Sequence, residues 1–367
     1  MAGRAAALPQ HRRAARRLRP IHQVLPAASP NDAVTNQAFA WQSLLVQWGH
    51  PSEVIAEHVH PDLSSRVHRL DRTGRRLIHE GNVILRYAIG SDTAELALKR
   101  PDRVALCYHN ITPGEYLRDY NPVIAELCDR GREALAGFAR PAALIADSSF
   151  NATDLREAGL GEPTIVPLLL DVPRTPERRL DANEQPTVIS VGRVVPNKRV
   201  EDVIKAFALY QRYRASGARL IIIGSSAGFE NYRRALGRLV EDVGAERVVF
   251  TEAISSAARD AWYQQADVYL SMSVHEGFCA PLVEAIAHGA PVVARRAGAV
   301  PETLGAAGLI LDGEDLPLVA EALHEVVSSP RTRAALSEAA ARRLEELSPQ
   351  AVAPRIRTAL APILDGA

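Results

Sequence analysis

Short apolar runs alternate with amphipathic stretches along almost the whole chain. Runs at 21–25, 54–56, 83–87, 104–108, 143–146 and 164–170 read as strands. Helical patterns lie between them at 35–48 (opened by Thr35, stopped by Gly49), near 115–138 and at 151–158. A polar, proline-bearing stretch, DVPRTPERRLDANEQP at 171–186, then breaks the pattern. The alternation restarts with strands at 188–191, 220–223, 248–250, 268–272 and 292–294, and helices at 201–215, 232–243, 256–265 and 281–288. Two further helices, 331–347 and 352–364, close the chain. Apolar strands alternating with helices predict parallel sheets covered on both faces. The fold class is therefore α/β, with two Rossmann-like domains facing a central cleft. The expected boundaries are 21–172 for the first domain, 173–186 for the linker, 187–350 for the second domain and 351–367 for a helix returning to the first.

Composition narrows the function. The 367 residues are 47% apolar, enough for two cores, and Lys+Arg 43 balances Asp+Glu 43. A neutral chain with 5% aromatic residues offers neither the basic footprint nor the stacking platforms of a nucleic-acid binder. Cys107, Cys128 and Cys279 cannot close a disulfide framework, and no Cys-x-x-Cys pair points to zinc. A reducing cytoplasm is the expected compartment. No apolar run approaches the ~20 residues that span a bilayer. Residues 1–20 carry six arginines before the first acid, Asp32. They read either as a disordered basic start or as a segment making peripheral contact with an anionic membrane face.

In doubly wound sheets, ligands bind beyond the carboxyl ends of the strands, so the residues just after each strand matter most. After 188–191 comes Gly192-Arg193-Val194-Val195-Pro196-Asn197-Lys198. The glycine permits a tight exit, and Arg193 and Lys198 would face the cleft as a diphosphate requires. Lysine is rare here, with only Lys99, Lys198 and Lys205 in the chain, so Lys198 carries more weight than an arginine. Two solvated charges in a turn would give the same spelling. After 268–272 comes Glu276-Gly277-Phe278-Cys279-Ala280-Pro281-Leu282-Val283-Glu284. Pro281 suits the first helical position, so the amides of Gly277, Phe278, Cys279 and Ala280 would converge on a helix N-terminus, a ready anion site. Glu276 and Glu284 could each accept from hydroxyls of a sugar or ribose held above it. Glu338 and Glu346 have the same spacing on what reads as a solvated helix, so only the strand-to-helix context separates the pairs.

These two stretches, SVGRVVPNKRVEDVIKAF and SVHEGFCAPLVEAIAHGAPVVARRAGAVPETL, resemble the donor half of glycosyltransferase family 4, retaining enzymes of the GT-B fold also called group 1 glycosyltransferases. The resemblance is strong over 187–325. It is weaker before that, where IADSSFNATDLREAG and IVPLLLD are similar to the segment preceding the interdomain linker. It implies that Arg193 and Lys198 bind the donor diphosphate, Glu284 the ribose and Glu276 the donor sugar, with the amides of Phe278, Cys279 and Ala280 nearby. It also implies that Ile254 sits where the base meets main-chain groups. His109 and Asn110 follow strand 104–108. A lone histidine there is often structural, but the resemblance places such a residue near the donor sugar. The family's usual glycine pair after the first strand is missing. Asn31 and Asp32, in the loop 26–35, still allow a tight turn, but without the glycines direct phosphate contact from this loop is not expected.

The implied activity is retaining hexosyl transfer from a nucleoside-diphosphate sugar to a hydroxyl of a glycan, glycolipid or small-molecule acceptor. No cofactor is expected, because fixed cations would replace a divalent ion and no Asp-x-Asp motif occurs. Rival readings are another GT-B enzyme, an epimerase or phosphorylase, and a catalytically inactive binding subunit.

Overall fold

The computed structural model describes residues 18–30, 32–174 and 185–364. The basic tail through residue 17, Asn31 and most of the 173–186 linker therefore lie outside the described residues. Among the described residues thirteen strands form two sheets, parallel throughout, as expected for apolar strands joined by helical crossovers.

The first domain holds β1 Ile21–Ala28, α1 Ala33–Gln47, β2 Val54–Val59, β3 His68–Arg69, α2 Arg72–Glu80, β4 Asn82–Tyr87 and α3 Asp92–Ala97. It continues with β5 Val104–Tyr108, α4 Pro122–Ala134, β6 Ala143–Ala146, α5 Ser149–Glu157 and β7 Thr164–Ile165. Its strand order is β3-β2-β1-β4-β5-β6-β7. The second domain holds β8 Thr187–Val191, α6 Val200–Tyr213, β9 Arg219–Ile223, α7 Glu230–Asp242, β10 Val248–Phe250, α8 Ser256–Gln265 and β11 Val268–Ser271. After them come α9 Ala280–Ala287, β12 Val292–Arg295, α10 Val300–Leu304, β13 Gly308–Leu311, α11 Leu316–Ser328 and α12 Pro330–Glu346. Its strand order is β10-β9-β8-β11-β12-β13.

Several elements depart from the sequence expectation. Helix α1 is capped by Asp32, whose carboxylate accepts from both the amide and the hydroxyl of Thr35 at 2.8 Å. Thr35 therefore lies inside the first turn and is not the cap, because the charged acceptor serves the free amides better. The helical stretch near 115–138 is a 3₁₀ turn at Gly114–Tyr116 followed by α4, which starts where Asn121 caps and Pro122 pre-sets the first turn. Strand 164–170 shrinks to two residues, since Pro167 has no amide to donate. Pro281 is the second helical residue, after Ala280. The short elements β3 and α3, and the pair β13–α11, were not anticipated from the sequence, although α11 buries Val319, Leu323 and Val326 at helical spacing.

The last helix, α13 Pro349–Leu364, leaves the second domain and lies on the first. Val352, Ile356, Leu360 and Ile363 pack with Ile21, Trp41, Ile84 and Ile145 in one buried cluster. The Asn82 amide donates to the carbonyl of Ile363 at 2.6 Å. The helix thus supplies one apolar stripe to a sheet face that α1 alone leaves part-covered.

Candidate active site between the two domains

The carboxyl ends of both sheets face each other across a cleft, and a cavity of about 190 Å³ lies there. Ala33, Val34, His109, Asp147 and Leu168 line it from the first domain; Lys198 and the segment Glu276 to Pro281 line it from the second.

The second-domain wall is built by two crossover loops tied together. The Val274 amide donates to Asn197 O at 2.9 Å, and the Asn197 side chain to His275 O at 3.4 Å. This brings the Lys198 ammonium within 2.6 Å of Glu276 Oε1. Burial works against the ammonium charge, but the Glu276 carboxylate outweighs it and holds Lys198 above its usual pKa. The neighbouring Cys279 is pushed well up by burial and by Glu276, so it remains a thiol.

The carbonyls of the following loop are each taken from outside it. Glu276 O accepts from Ala299 N at 2.9 Å, Gly277 O from the Ser148 hydroxyl at 2.7 Å, and Phe278 O from the Thr303 hydroxyl at 2.6 Å. In a planar trans peptide the next N–H points the opposite way, so the amides of Gly277, Phe278 and Cys279 are turned from those partners. Cys279 has φ +68° and leads directly into α9, the arrangement in which successive amides make an anion-binding concavity. Two glycines permit the approach. A Cβ on Gly298 (φ +48°) would meet Glu276 O at 2.3 Å, and one on Gly277 would meet Asn110 Cβ at 2.5 Å.

The first-domain wall centres on His109. Its Nδ1 lies 2.8 Å from Asp147 Oδ2 and its Nε2 3.0 Å from an Nη1 of Arg86. Burial disfavours a charged imidazole, while Asp147 and Cys107 favour it and together would carry its pKa to about 10. The Arg86 contact decides against that charge. A guanidinium only donates, so Nε2 must keep its lone pair and the single proton sits on Nδ1. Cys107, His109 and Asp147 bring three donor atoms within 4.8 Å of one another, but the Arg86 cation already occupies the histidine nitrogen, which makes the cluster a poor metal host.

The remaining expected site residues scatter around this cavity. Glu284 is largely covered; it accepts from Tyr263 OH at 2.9 Å and lies 3.6 Å from Arg259, on the α9 face beside the loop. Burial and Glu284 hold the Tyr263 phenol protonated. Arg193 is exposed, its guanidinium 5.9 Å from the Phe229 ring, and does not line the cavity. Ile254 packs on the core beneath β8–β11, outside the lining. Asp32 is spent on the α1 cap. Asn110 (φ +69°) instead bridges the domains, accepting from His275 Nε2 at 2.6 Å. Glu338 and Glu346, at the same spacing as the site glutamates, form exposed pairs with Arg342 and Arg343. Sequence reasoning missed Asp147, Arg86, Ser148 and His275. An acid directly after the apolar run at 143–146, and an arginine inside the apolar run at 83–87, were the available signals.

The chain is similar in sequence and in fold to known proteins. Residues 171–343 match the family model described as glycosyl transferases group 1. Over 172 residues the chain is 33% identical to the GDP-mannose-dependent α-(1-6)-phosphatidylinositol monomannoside mannosyltransferase of Mycolicibacterium smegmatis, covering 44% of each. Over 204 residues it is 29% identical to a D-inositol 3-phosphate glycosyltransferase of Pseudarthrobacter chlorophenolicus, covering 54% of this chain and 47% of that one. The matches thus span less than half the length of these relatives. Among solved structures, Anabaena HepE in complex with UDP and glucose superposes with TM-score 0.72 at 17% identity, over 94% of this chain and 99% of that one. The sucrose-phosphate synthase of Thermosynechococcus elongatus gives TM-score 0.72 at 17% identity, over 95% and 100%. Among the described residues, no helix is long and apolar enough to cross a membrane. The second domain is thus similar to the group 1 glycosyl transferases, and the chain as a whole has the GT-B fold.

Proposed function

We propose that the chain is a glycosyltransferase that moves a hexosyl group from a nucleoside-diphosphate sugar to an acceptor hydroxyl. The observation that carries this reading is the cavity itself: a paired ammonium and carboxylate, Lys198 and Glu276, beside the amide-lined N-terminus of α9. Breaking the anomeric C–O bond puts negative charge on the departing phosphate and positive charge on the sugar ring. The α9 terminus and the Lys198 ammonium suit the first, whereas Arg193, exposed and outside the cavity lining, would have to move to join them. Glu276 would accept from sugar hydroxyls, and Glu284, one turn into α9, from the ribose. Both carboxylates come from one side of the cleft, unlike a glycosidase pair set across a scissile bond. The reading is therefore retention by same-face attack, with the phosphate oxygen taking the acceptor proton, and with fixed cations serving where other transferases use a metal. The acceptor would be a glycan, glycolipid or small-molecule hydroxyl; the names of the mannosyl- and inositol-phosphate-modifying relatives favour starting with polyol acceptors.

Thermal-shift titration against UDP, GDP, ADP and their hexose conjugates tests the donor assignment. Stabilisation by one nucleoside diphosphate, with product formed from its sugar, is the expected result. No response to any of them would overturn the assignment.

A further inference from the structure

Arg86 is a fully buried cation in the first domain. It lies in β4, directly after the apolar run Val83, Ile84 and Leu85. Its Nε donates to Gln23 Oε1 at 2.7 Å, one Nη donates to Gln37 O at 3.2 Å, and the other reaches His109 Nε2 at 3.0 Å. Its guanidinium carbon lies 4.7 Å from the centroid of the Trp41 ring. Among the described residues no carboxylate touches it directly. The nearest countercharge is Asp147, on the far side of the His109 ring. A buried cation with only neutral neighbours is strongly disfavoured, so the Asp147 carboxylate and the imidazole between them are what make Arg86 tolerable.

We propose that Arg86 is a positioning residue that holds His109 neutral, with its proton on Nδ1, by donating to Nε2 while Asp147 accepts from Nδ1–H. The role rests on the glycosyl-transfer reading above. Positive charge grows on the donor ring as its bond to phosphate breaks, and His109 lines the cavity where that ring would lie. An imidazolium there would oppose the developing charge. A neutral imidazole keeps the positive group one ring-width further back, at Arg86. Every charged or titratable group facing His109 enters this balance: Cys107 on its own strand, Asp147 from the end of β6, Arg86 from β4, and Lys198 and Glu276 across the cavity. Asp147 and Cys107 favour the imidazolium against burial, so the Arg86 N–H aimed at Nε2 is the contact that opposes a second proton there.

The test is ¹⁵N imidazole NMR on histidine-labelled protein, with His109→Gln to assign the signal. The wild type should show a protonated Nδ1 and a lone-pair Nε2, unchanged from about pH 5 to pH 8. In Arg86→Met both nitrogens should become protonated at neutral pH. The variant's kcat should fall by about 10²-fold with little change in donor KM, the signature of a lost positioning contact. Arg86→Lys, which keeps the charge, should return His109 to the neutral form and recover part of kcat. A wild-type His109 that is cationic, or protonated on Nε2, overturns the proposal even if no Arg86 variant folds. Unaltered His109 shifts in Arg86→Met overturn it too. The tautomer readout needs no turnover, so it stands apart from any failure of the glycosyltransferase assignment.

Discussion

The Lys198–Glu276 pair makes an unequal prediction for its two halves. At 2.6 Å and an effective dielectric near 20, the gross attraction is ~6 kcal/mol, most of it offset by desolvation. Side-chain exposure is 26% for Lys198 but 7% for Glu276, so water can rescue an orphaned ammonium and cannot rescue an orphaned carboxylate. Lys198→Met should therefore cost ~3–5 kcal/mol, whereas Glu276→Gln should cost only about 1–2 kcal/mol. The double variant, which buries no unpaired charge, should be more stable than Lys198→Met alone. Ligand binding should divide differently. Glu276→Gln frees the ammonium for a diphosphate, so nucleoside-diphosphate affinity should hold or rise while turnover falls. Lys198→Met leaves a bare carboxylate facing the phosphates, and affinity should drop by more than about tenfold, or ~1.4 kcal/mol. Denaturant melts and isothermal titration with the nucleoside diphosphate chosen by thermal shift would read both scales. A double variant less stable than Lys198→Met, or equal loss of affinity in both single variants, would refute the assignment of the pair.

Three further outcomes follow from the same geometry. Gly277→Ala should leave the second domain folded but weaken the interdomain contact by ~1–3 kcal/mol, since its Cβ would meet Asn110 Cβ at 2.5 Å; scattering that shows an unchanged closed cleft would contradict this. His22 and His275 are both buried, with pKa values pulled down to about 4 by burial first and neighbouring cations second, and both recover a value near 6.5 once unfolded. The unfolded chain then binds more protons between those values, so unfolding free energy should fall as pH drops from about 6.5 towards 4, by up to ~3 kcal/mol per histidine. A flat stability profile over that window would count against it. Activity should survive saturating chelator, because Lys198 and the α9 terminus take the leaving-group charge; complete loss with EDTA, restored by Mg²⁺ or Mn²⁺, would show that a divalent ion does so instead.

The second-domain wall of the cavity was legible because its chemistry is local. Lys198 follows a strand within a few residues, and Glu276 through Pro281 spell a loop and a helix start in one uninterrupted segment. The first-domain wall was not, since its chemistry exists only through strand adjacency. Arg86, His109 and Asp147 stand on β4, β5 and β6, which are neighbours in the sheet but separated by long crossovers in the chain. His109 could be named from its place at a strand end. Its occupation by Arg86 and Asp147 required the register of three parallel strands. Contacts between domains were further out of reach: nothing near Asn110 or His275 in the sequence announces that each is the other's partner. Periodicity likewise missed β3, whose two residues give too short a window for an alternation to register.

Helix α13 also carries a consequence for how the chain is made. The core of the first domain contains Ile21 and Trp41 at one end of the sequence and Val352, Ile356, Leu360 and Ile363 at the other. The second domain, from β8 to α12, is contiguous and can bury its own sheet as soon as it leaves the ribosome. The first domain, although translated earlier, must wait with the face formed by Ile84, Ala105 and Ile145 part-open until residues 352–363 arrive. During synthesis the order of completion is therefore reversed: the second domain matures first, and the helix that follows it then finishes the domain that was begun before it.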